Sequence, residues 1–228
     1  MKKLIAMAAA LAVTSLSAFA VDITVGARGN FNMGIGTDII FQPDTFNSFE
    51  KHGGNLGGGF AVFANFGLTE IGKGSLGIQP EFGMNFNNGY TSEEDSVKMN
   101  LYSTTIDLPV LVTFNYPVME AFSIGCGAGP YLSIPSGFDF LVQYDEDTST
   151  KTFENMDVKA RLNFGFAFDV NAAYKLGPGS LVFDVRYMLD LEPTSIDSKD
   201  PDASWHDRSN DMFTRRMFVL GLGYQMKF

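Results

Sequence analysis

Residues 212–228, at the end of the chain, alternate strictly between apolar and other side chains up to the last residue. Counting back from the C terminus, every second residue is apolar: Phe228, Met226, Tyr224, Leu222, Leu220 and Phe218. A side-chain period of two over this length predicts a β-strand with one face in an apolar medium. An aromatic residue as the last residue of such a strand is unusual in a soluble protein.

The same alternation recurs in seven earlier stretches, so the sequence predicts eight strands. They cover residues 21–35, 57–69, 75–87, 99–114, 121–134, 157–175, 181–189 and 212–228. The connections between them alternate between long and short, the long ones being 37–55, 88–98, 135–156 and 190–211. This rhythm is typical of an all-β, antiparallel, up-and-down transmembrane β-barrel with short periplasmic turns and four long extracellular loops.

A soluble eight-stranded barrel would also alternate, with its apolar face turned inward around a ligand. The polar face of a soluble barrel should then carry many long, solvated side chains. Here that face is mostly small or uncharged, and the apolar face carries bulky residues at nearly every step. Small residues suit the interior of a narrow barrel and bulky apolar residues suit lipid contact, which favours the membrane barrel.

The first twenty residues have the pattern of an export signal. Lys2 and Lys3 are followed by an alanine-rich apolar run, and Ala18-Phe19-Ala20 is a small-x-small cleavage site. The apolar run is too short and too diluted with alanine for a transmembrane anchor. We therefore predict a cleavable signal peptide over residues 1–20 and a barrel domain over 21–228.

The charge and cysteine content restrict the partners and cofactors. The chain has 16 basic and 26 acidic residues, a formal net charge of −10, and loss of Lys2 and Lys3 would make it −12. This balance argues against nucleic acid as a partner, because phosphate binding needs clustered basic side chains. The single cysteine, Cys126, cannot form an internal disulfide, and it falls in the lipid-facing phase as a small apolar residue. No cofactor or metal site is expected.

Eight charged side chains fall in the inward phase of the predicted strands. Four are basic and four are acidic: Arg28, Arg161, Arg186, Arg215, Glu81, Asp107, Asp169 and Asp184. Buried charges persist when they are paired, so the balance predicts a structural ion-pair network in the lumen. The alternative is a narrow, charge-lined path for small ions.

Three segments resemble a known family. Residues Ile106–Val112 (IDLPVLV) and Gly125–Tyr131 (GCGAGPY) are similar to paired signatures of the small outer-membrane β-barrel domain family, also called porin-like or PorT-like. Residues Phe183–Tyr187 (FDVRY) resemble its penultimate strand. The resemblance extends over essentially all of residues 21–228 and implies the eight-stranded fold and an outer-membrane location. It implies no reaction and no substrate, because a fold does not determine a function.

Candidate catalytic residues occur in the fourth long loop. His206 has Ser204, Ser209, Asp207 and Asp211 nearby in sequence. Sequence proximity in a polar loop is not triad geometry, so we predict no enzyme activity.

Acidic groups at 145–147, 93–95 and in residues Asp197, Asp200 and Asp202 could bridge calcium, because Ca²⁺ prefers oxygen ligands. None has the spacing of a calcium-binding loop, and no metal site is predicted there.

Taken together, the sequence predicts an integral protein of the outer membrane of a diderm bacterium. Its expected role is structural or in surface interaction, through long acidic extracellular loops that could bind an extracellular ligand. A narrow small-solute or ion channel is the alternative, and an outer-membrane lipid- or protein-modifying enzyme is the third possibility. The expected partners are outer-membrane lipid and the barrel-assembly machinery, for which the last strand, ending at Phe228, looks like the sorting signal.

Overall fold

The computed structural model describes residues 22–35, 39–40, 52–54, 56–94, 97–144, 150–153, 162–191, 194–195, 212–213 and 215–228. Their eight long strands are β1 (Asp22–Gly34), β2 (Leu56–Ile71), β3 (Gly74–Glu94), β4 (Val97–Met119), β5 (Phe122–Tyr144), β6 (Asn163–Leu176), β7 (Gly179–Asp190) and β8 (Arg216–Lys227). Five short strands are Ile39–Ile40, His52–Gly54, Thr150–Phe153, Thr194–Ser195 and Met212–Phe213. No helix in these ranges has the length and apolar character needed to cross a membrane.

The eight long strands close into a barrel. Each pairs antiparallel with its neighbour in chain order, and β1 pairs with β8 from Thr24 opposite Lys227 to Gly34 opposite Met217. The Phe228 amide extends this seam by donating to the Ile23 carbonyl at 2.7 Å. Closure satisfies the backbone groups that an open sheet would leave unpaired at its edges. The prediction of an eight-stranded, antiparallel, all-β barrel is confirmed.

Side chains alternate between the two faces of the wall as the sequence predicts. On β1, Phe31 and Met33 are exposed outside while Arg28 and Asn32 are buried inside. The same alternation holds along the described part of each long strand, because paired residues of neighbouring strands share a face. Phe66 is buried although its register, opposite Ile23 and Ile78, keeps it on the outer face. The barrel therefore has an apolar exterior and a polar interior.

Three tight turns and both ends of the wall lie at one end of the barrel, here called the short-turn end. The turns are at residues 72–73, 120–121 and 177–178. Gly72 and Gly177 have φ values of 65° and 63°, a left-handed conformation that glycine adopts without steric cost. β1 begins and β8 ends at the same end, as the even number of strands requires.

The strands are longer than the sequence pattern indicates. Residues 88–98, predicted as a long loop, are mostly paired strand, since β3 extends to Glu94 and β4 begins at Val97. The backbone register sets Glu93 opposite Lys98 and Glu94 opposite Val97. The sequence pattern missed this extension because its residues are mostly polar. Strand pairing uses backbone groups, so it can continue where apolar and polar side chains no longer alternate.

Two further boundaries differ from the prediction because Pro117 and Pro135, which indicated a turn and a loop, lie within strand pairing next to register irregularities. β5 continues past Ile134 to Tyr144 and pairs there with Thr150–Phe153, inside the predicted third loop. β4 continues through the predicted turn at 115–120 and ends at Met119. The first and fourth loops and the leader, residues 1–20, lie mostly or wholly outside the described residues.

Candidate functional site

The inward face of the wall brings seven of the eight predicted lumen charges to the barrel interior. All are buried: Arg28, Glu81, Asp107, Asp169, Asp184, Arg186 and Arg215. Arg161 lies outside the described residues. The seven side chains come from strands on all sides of the barrel, so their contacts cross the lumen.

Glu81 lies at the centre of the first ion cluster. Its carboxylate accepts hydrogen bonds from Arg186 Nη1 at 2.6 Å and Nη2 at 2.8 Å, a bidentate pair. Arg28 Nη2 donates to the same carboxylate at 2.7 Å, as does Gln79 Nε2. Because β3 and β7 lie on opposite sides of the barrel, the Glu81–Arg186 contact spans its interior. Charge-assisted bidentate pairs of this kind hold their geometry tightly.

Two more carboxylates complete the first ion cluster, and they are held unequally. Asp169 is 3.2 Å from Arg186 Nη2, and it accepts a hydrogen bond from Asn171 Nδ2 at 3.0 Å. Asp184 lies 3.4 Å from Arg28 Nε, yet its two oxygens accept no hydrogen bond from any described residue. The cluster thus contains three carboxylates and two guanidinium groups.

Arg215 forms the centre of the second ion cluster, farther from the short-turn end. Its Nη2 is 2.8 Å from Asp107 Oδ1 and 3.3 Å from Asp190 Oδ1. Its Nη1 donates to Thr105 Oγ1 at 2.7 Å. The Tyr131 hydroxyl donates to Asp190, which also accepts the Arg215 backbone amide at 3.2 Å. Here two carboxylates share one guanidinium group.

Asp190 was placed in the fourth loop by the sequence prediction, and this placement is wrong. It ends β7 and is buried in the lumen. The signal was present, because Asp184, Arg186, Met188 and Asp190 continue one inward phase. With Asp190 included, the described lumen network contains five acids and three arginines, and the fourth predicted arginine, Arg161, lies outside the described residues.

Inward-facing aromatic and apolar side chains are the other feature that sequence reasoning missed. Phe63 lies under Arg28 and Tyr131 under Arg215, each with 5.6 Å between the guanidinium carbon and the ring centroid. Between the two ion clusters lies a buried apolar group: Leu111, Tyr131, Ala167, Met188, Met217 and Val219. An apolar residue in the polar phase of a strand was the available signal.

Within the described residues, the space beside the ion clusters is small and the short-turn end is hollow. The space beside both clusters, bordered by Glu81, Asp107, Arg186 and Val219, is only about 10 Å³. A volume of that size holds at most one water molecule. At the short-turn end a cavity of about 550 Å³ opens between the tight turns and the first ion cluster.

Other sequence candidates fall elsewhere. His206 and its neighbouring serines and aspartates lie outside the described residues, as do the acidic residues 145–147, Asp197, Asp200 and Asp202. The side chains of Glu93 and Glu94 are likewise not described. Cys126 is a free thiol exposed on the outer face, where the sequence placed it.

Comparison with known proteins gives one family. The profile described as "Outer membrane protein beta-barrel domain" matches residues 6–225. A search of curated proteins finds no match.

Comparison with solved structures gives matches of low sequence identity. The outer membrane protein OprG from Pseudomonas aeruginosa matches with 12% identity and a TM-score of 0.51, covering 92% of this chain and 97% of its own. The outer membrane protease OmpT from Escherichia coli matches with 10% identity, TM-score 0.49, and 91% and 95% coverage. A major outer membrane protein from Thermus thermophilus matches with 17% identity, TM-score 0.46, and 91% and 98% coverage. At this low identity the likeness to OprG concerns the fold alone.

Proposed function

The chain belongs to the outer membrane protein β-barrel domain family, and we propose that it is a surface barrel with a sealed lumen, whose loops make its molecular contacts. In this proposal the short-turn end faces the periplasm and the long connections face the cell exterior, as in barrels of this class. The role is structural or in surface interaction, and the loops are the binding surface.

The bidentate contact between Arg186 and Glu81 carries this proposal. It joins opposite walls across the barrel centre, and Arg28, from β1, also contacts the Glu81 carboxylate. Above it, the apolar group and the second ion cluster leave almost no space. An ion crossing the lumen would have to separate these buried pairs, and eight strands leave no room for an aqueous channel beside them.

The composition of the connections supports the loops as the interaction surface. The chain is acidic overall, and acidic residues are concentrated in the predicted loops, including 145–147 and Asp197, Asp200 and Asp202. Binding sites in rigid scaffolds are usually built on such connections. An extracellular partner with basic groups fits this charge.

A narrow channel is the second candidate, and the cavity at the short-turn end is the observation that favours it. That cavity already gives water a path through part of the lumen. Opening the remainder would require the first ion cluster to part. The enzyme alternative depends on His206, and hydrolase assays on the folded protein with His206→Ala would test it.

Planar-bilayer recording separates the sealed barrel from the channel. We expect the wild-type protein to give no steady current, because paired charges and apolar side chains fill the lumen. Arg186→Ala removes the guanidinium group that joins the walls and is the variant most able to open a path. Steady unit conductance in the wild type would contradict the sealed barrel. A closed baseline in both proteins would eliminate the channel.

A further inference from the structure

Many polar side chains line the cavity at the short-turn end, which lies between the tight turns and the first ion cluster. Its volume is about 550 Å³, and carboxamide and hydroxyl side chains from several strands line it. The uncharged polar members are Thr24, Asn65, Ser75, Gln79, Asn115, Ser123, Asn171, Ser180 and Gln225. A space of this size holds a small organic molecule with room for water.

Two of the wall carboxamides have hydrogen-bonding capacity to spare. Asn115 and Asn171 lie together over Gly125, where the absence of a side chain leaves space for both. Asn171 uses its Nδ2 on Asp169, and no described group donates to its Oδ1. Among the described residues the Asn115 side chain makes no hydrogen bond. These amides can serve a ligand with hydroxyl or ammonium groups.

The charges around the cavity leave one negative charge in excess. At the rim three basic residues face three acidic ones: Lys73, Lys175, Lys227, Asp22, Glu70 and Glu120. The floor adds Arg28 against Asp169 and Asp184. The rim is balanced, so the extra negative charge lies at the floor of the cavity, which is the side next to the first ion cluster.

Asp184 is the floor residue whose charge is least compensated. It is only 2% exposed, its oxygens accept no hydrogen bond within the described part of the chain, and Arg28 Nε is 3.4 Å away. Arg28 already makes its short contact to Glu81. A buried carboxylate in this position favours a positive charge nearby, and the low dielectric of the wall lets that attraction act without direct contact.

We infer that this cavity is a binding site for a small hydrophilic organic cation, of about the size of an amino sugar. Its ammonium group lies at the floor near Asp184 and Asp169, and its hydroxyl groups bond to Asn115 and Asn171. Binding does not require the lumen to open, because the cavity is reached from the short-turn end alone. The inference therefore stands apart from the proposed role of the loops.

Three sugars of similar size but different charge test this site: glucosamine, N-acetylglucosamine and glucuronate. The full mature chain in phospholipid nanodiscs is titrated with each, and the side-chain amide signals of Asn115 and Asn171 are followed by NMR. We expect glucosamine to bind at least fivefold more tightly than the neutral sugar, and glucuronate to bind more weakly still. Equal binding of all three sugars, or no shift with any of them, would overturn the inference.

Matched variants locate the charge that matters. Asp184→Asn should remove the preference for glucosamine, whereas Asp22→Asn, which removes an equal charge at the rim, should largely keep it. Ala173→Phe fills part of the cavity without changing charge and should weaken all binding by tenfold or more. Persistence of the preference in Asp184→Asn would overturn the site. If Asp184→Asn does not fold, undiminished glucosamine binding in Ala173→Phe would overturn the site.

Discussion

Arg186 is the residue that joins opposite walls of the barrel within the first ion cluster. It holds Glu81 through two short hydrogen bonds and also contacts Asp169, all within the buried interior. Removing one partner of a buried ion pair leaves uncompensated charge, which costs more than the pair itself contributes. A buried network of this kind can contribute specificity where its net contribution to stability is small.

We predict that Arg186→Ala lowers the free energy of unfolding by about 3–5 kcal/mol, the usual cost of breaking a buried pair. The measurement is urea-induced unfolding from lipid vesicles. The control is Lys227→Ala, which breaks the exposed contact to Asp22 at 2.8 Å and should cost less than about 1 kcal/mol. Equal effects of the two substitutions would contradict the buried network.

Gly165 is required by the Tyr131 ring, which lies directly over its Cα. A Cβ atom at Gly165 would overlap the ring, and Tyr131 donates to Asp190 in the second ion cluster. We predict that Gly165→Ala costs about 1–3 kcal/mol through overpacking. Gly29→Ala is the matched control, since nothing lies within 4 Å of its added methyl group. Urea unfolding of both variants should show a loss for Gly165→Ala alone.

At the scale of the strand, the sequence predicts faces well and ends poorly. A period of two assigns each side chain to one face, because a slip of one residue would reverse every assignment. The end of β3 was missed because its side chains are polar, and the ends of β4 and β5 were missed because Pro117 and Pro135 resemble loop residues although strand pairing continues through them. Asp190 was missed for the same reason, as a charged residue at a strand end resembles a loop residue.

Which charges meet could not be predicted from the strands taken singly. Arg186 and Glu81 are 105 residues apart, and their contact depends on the stagger of all the strands around the barrel. The alternation places both in the lumen but fixes neither their relative height nor their partner. The cavity at the short-turn end likewise follows from the stagger and from small residues such as Gly125.

The terminal strand β8 closes the barrel. Phe228, the residue that follows it, contributes mainly through its backbone. The Phe228 amide pairs with Ile23, whereas the residue is 76% exposed. We predict that deleting Phe228 reduces outer-membrane assembly in cells strongly, which is the result expected of the sorting signal that the sequence predicts. Spontaneous folding of the same variant into lipid vesicles should be nearly unchanged. Normal amounts of heat-modifiable barrel in the cells would contradict the signal.

At the scale of the whole molecule, the barrel is asymmetric along its axis. Among the described residues, two ion clusters and an apolar group occupy the middle, and the cavity lies at the end with the tight turns. The apolar exterior suits the lipid of the outer membrane. In the proposed function the occupied middle acts as a seal, and the cavity belongs to the periplasmic side.

The most direct test of this account is the side from which a cavity residue can be reached. Ser123→Cys, in a Cys126→Ser background, places one thiol on the cavity wall, and Ser136→Cys places one at an exposed position toward the far end of β5. A small charged thiol reagent should modify Ser136→Cys on intact cells and spare Ser123→Cys. Once the outer membrane is made permeable, so that the reagent reaches the periplasm, Ser123→Cys should react as well. Equal reaction of both variants on intact cells would mean that the lumen is open, and the account would be wrong.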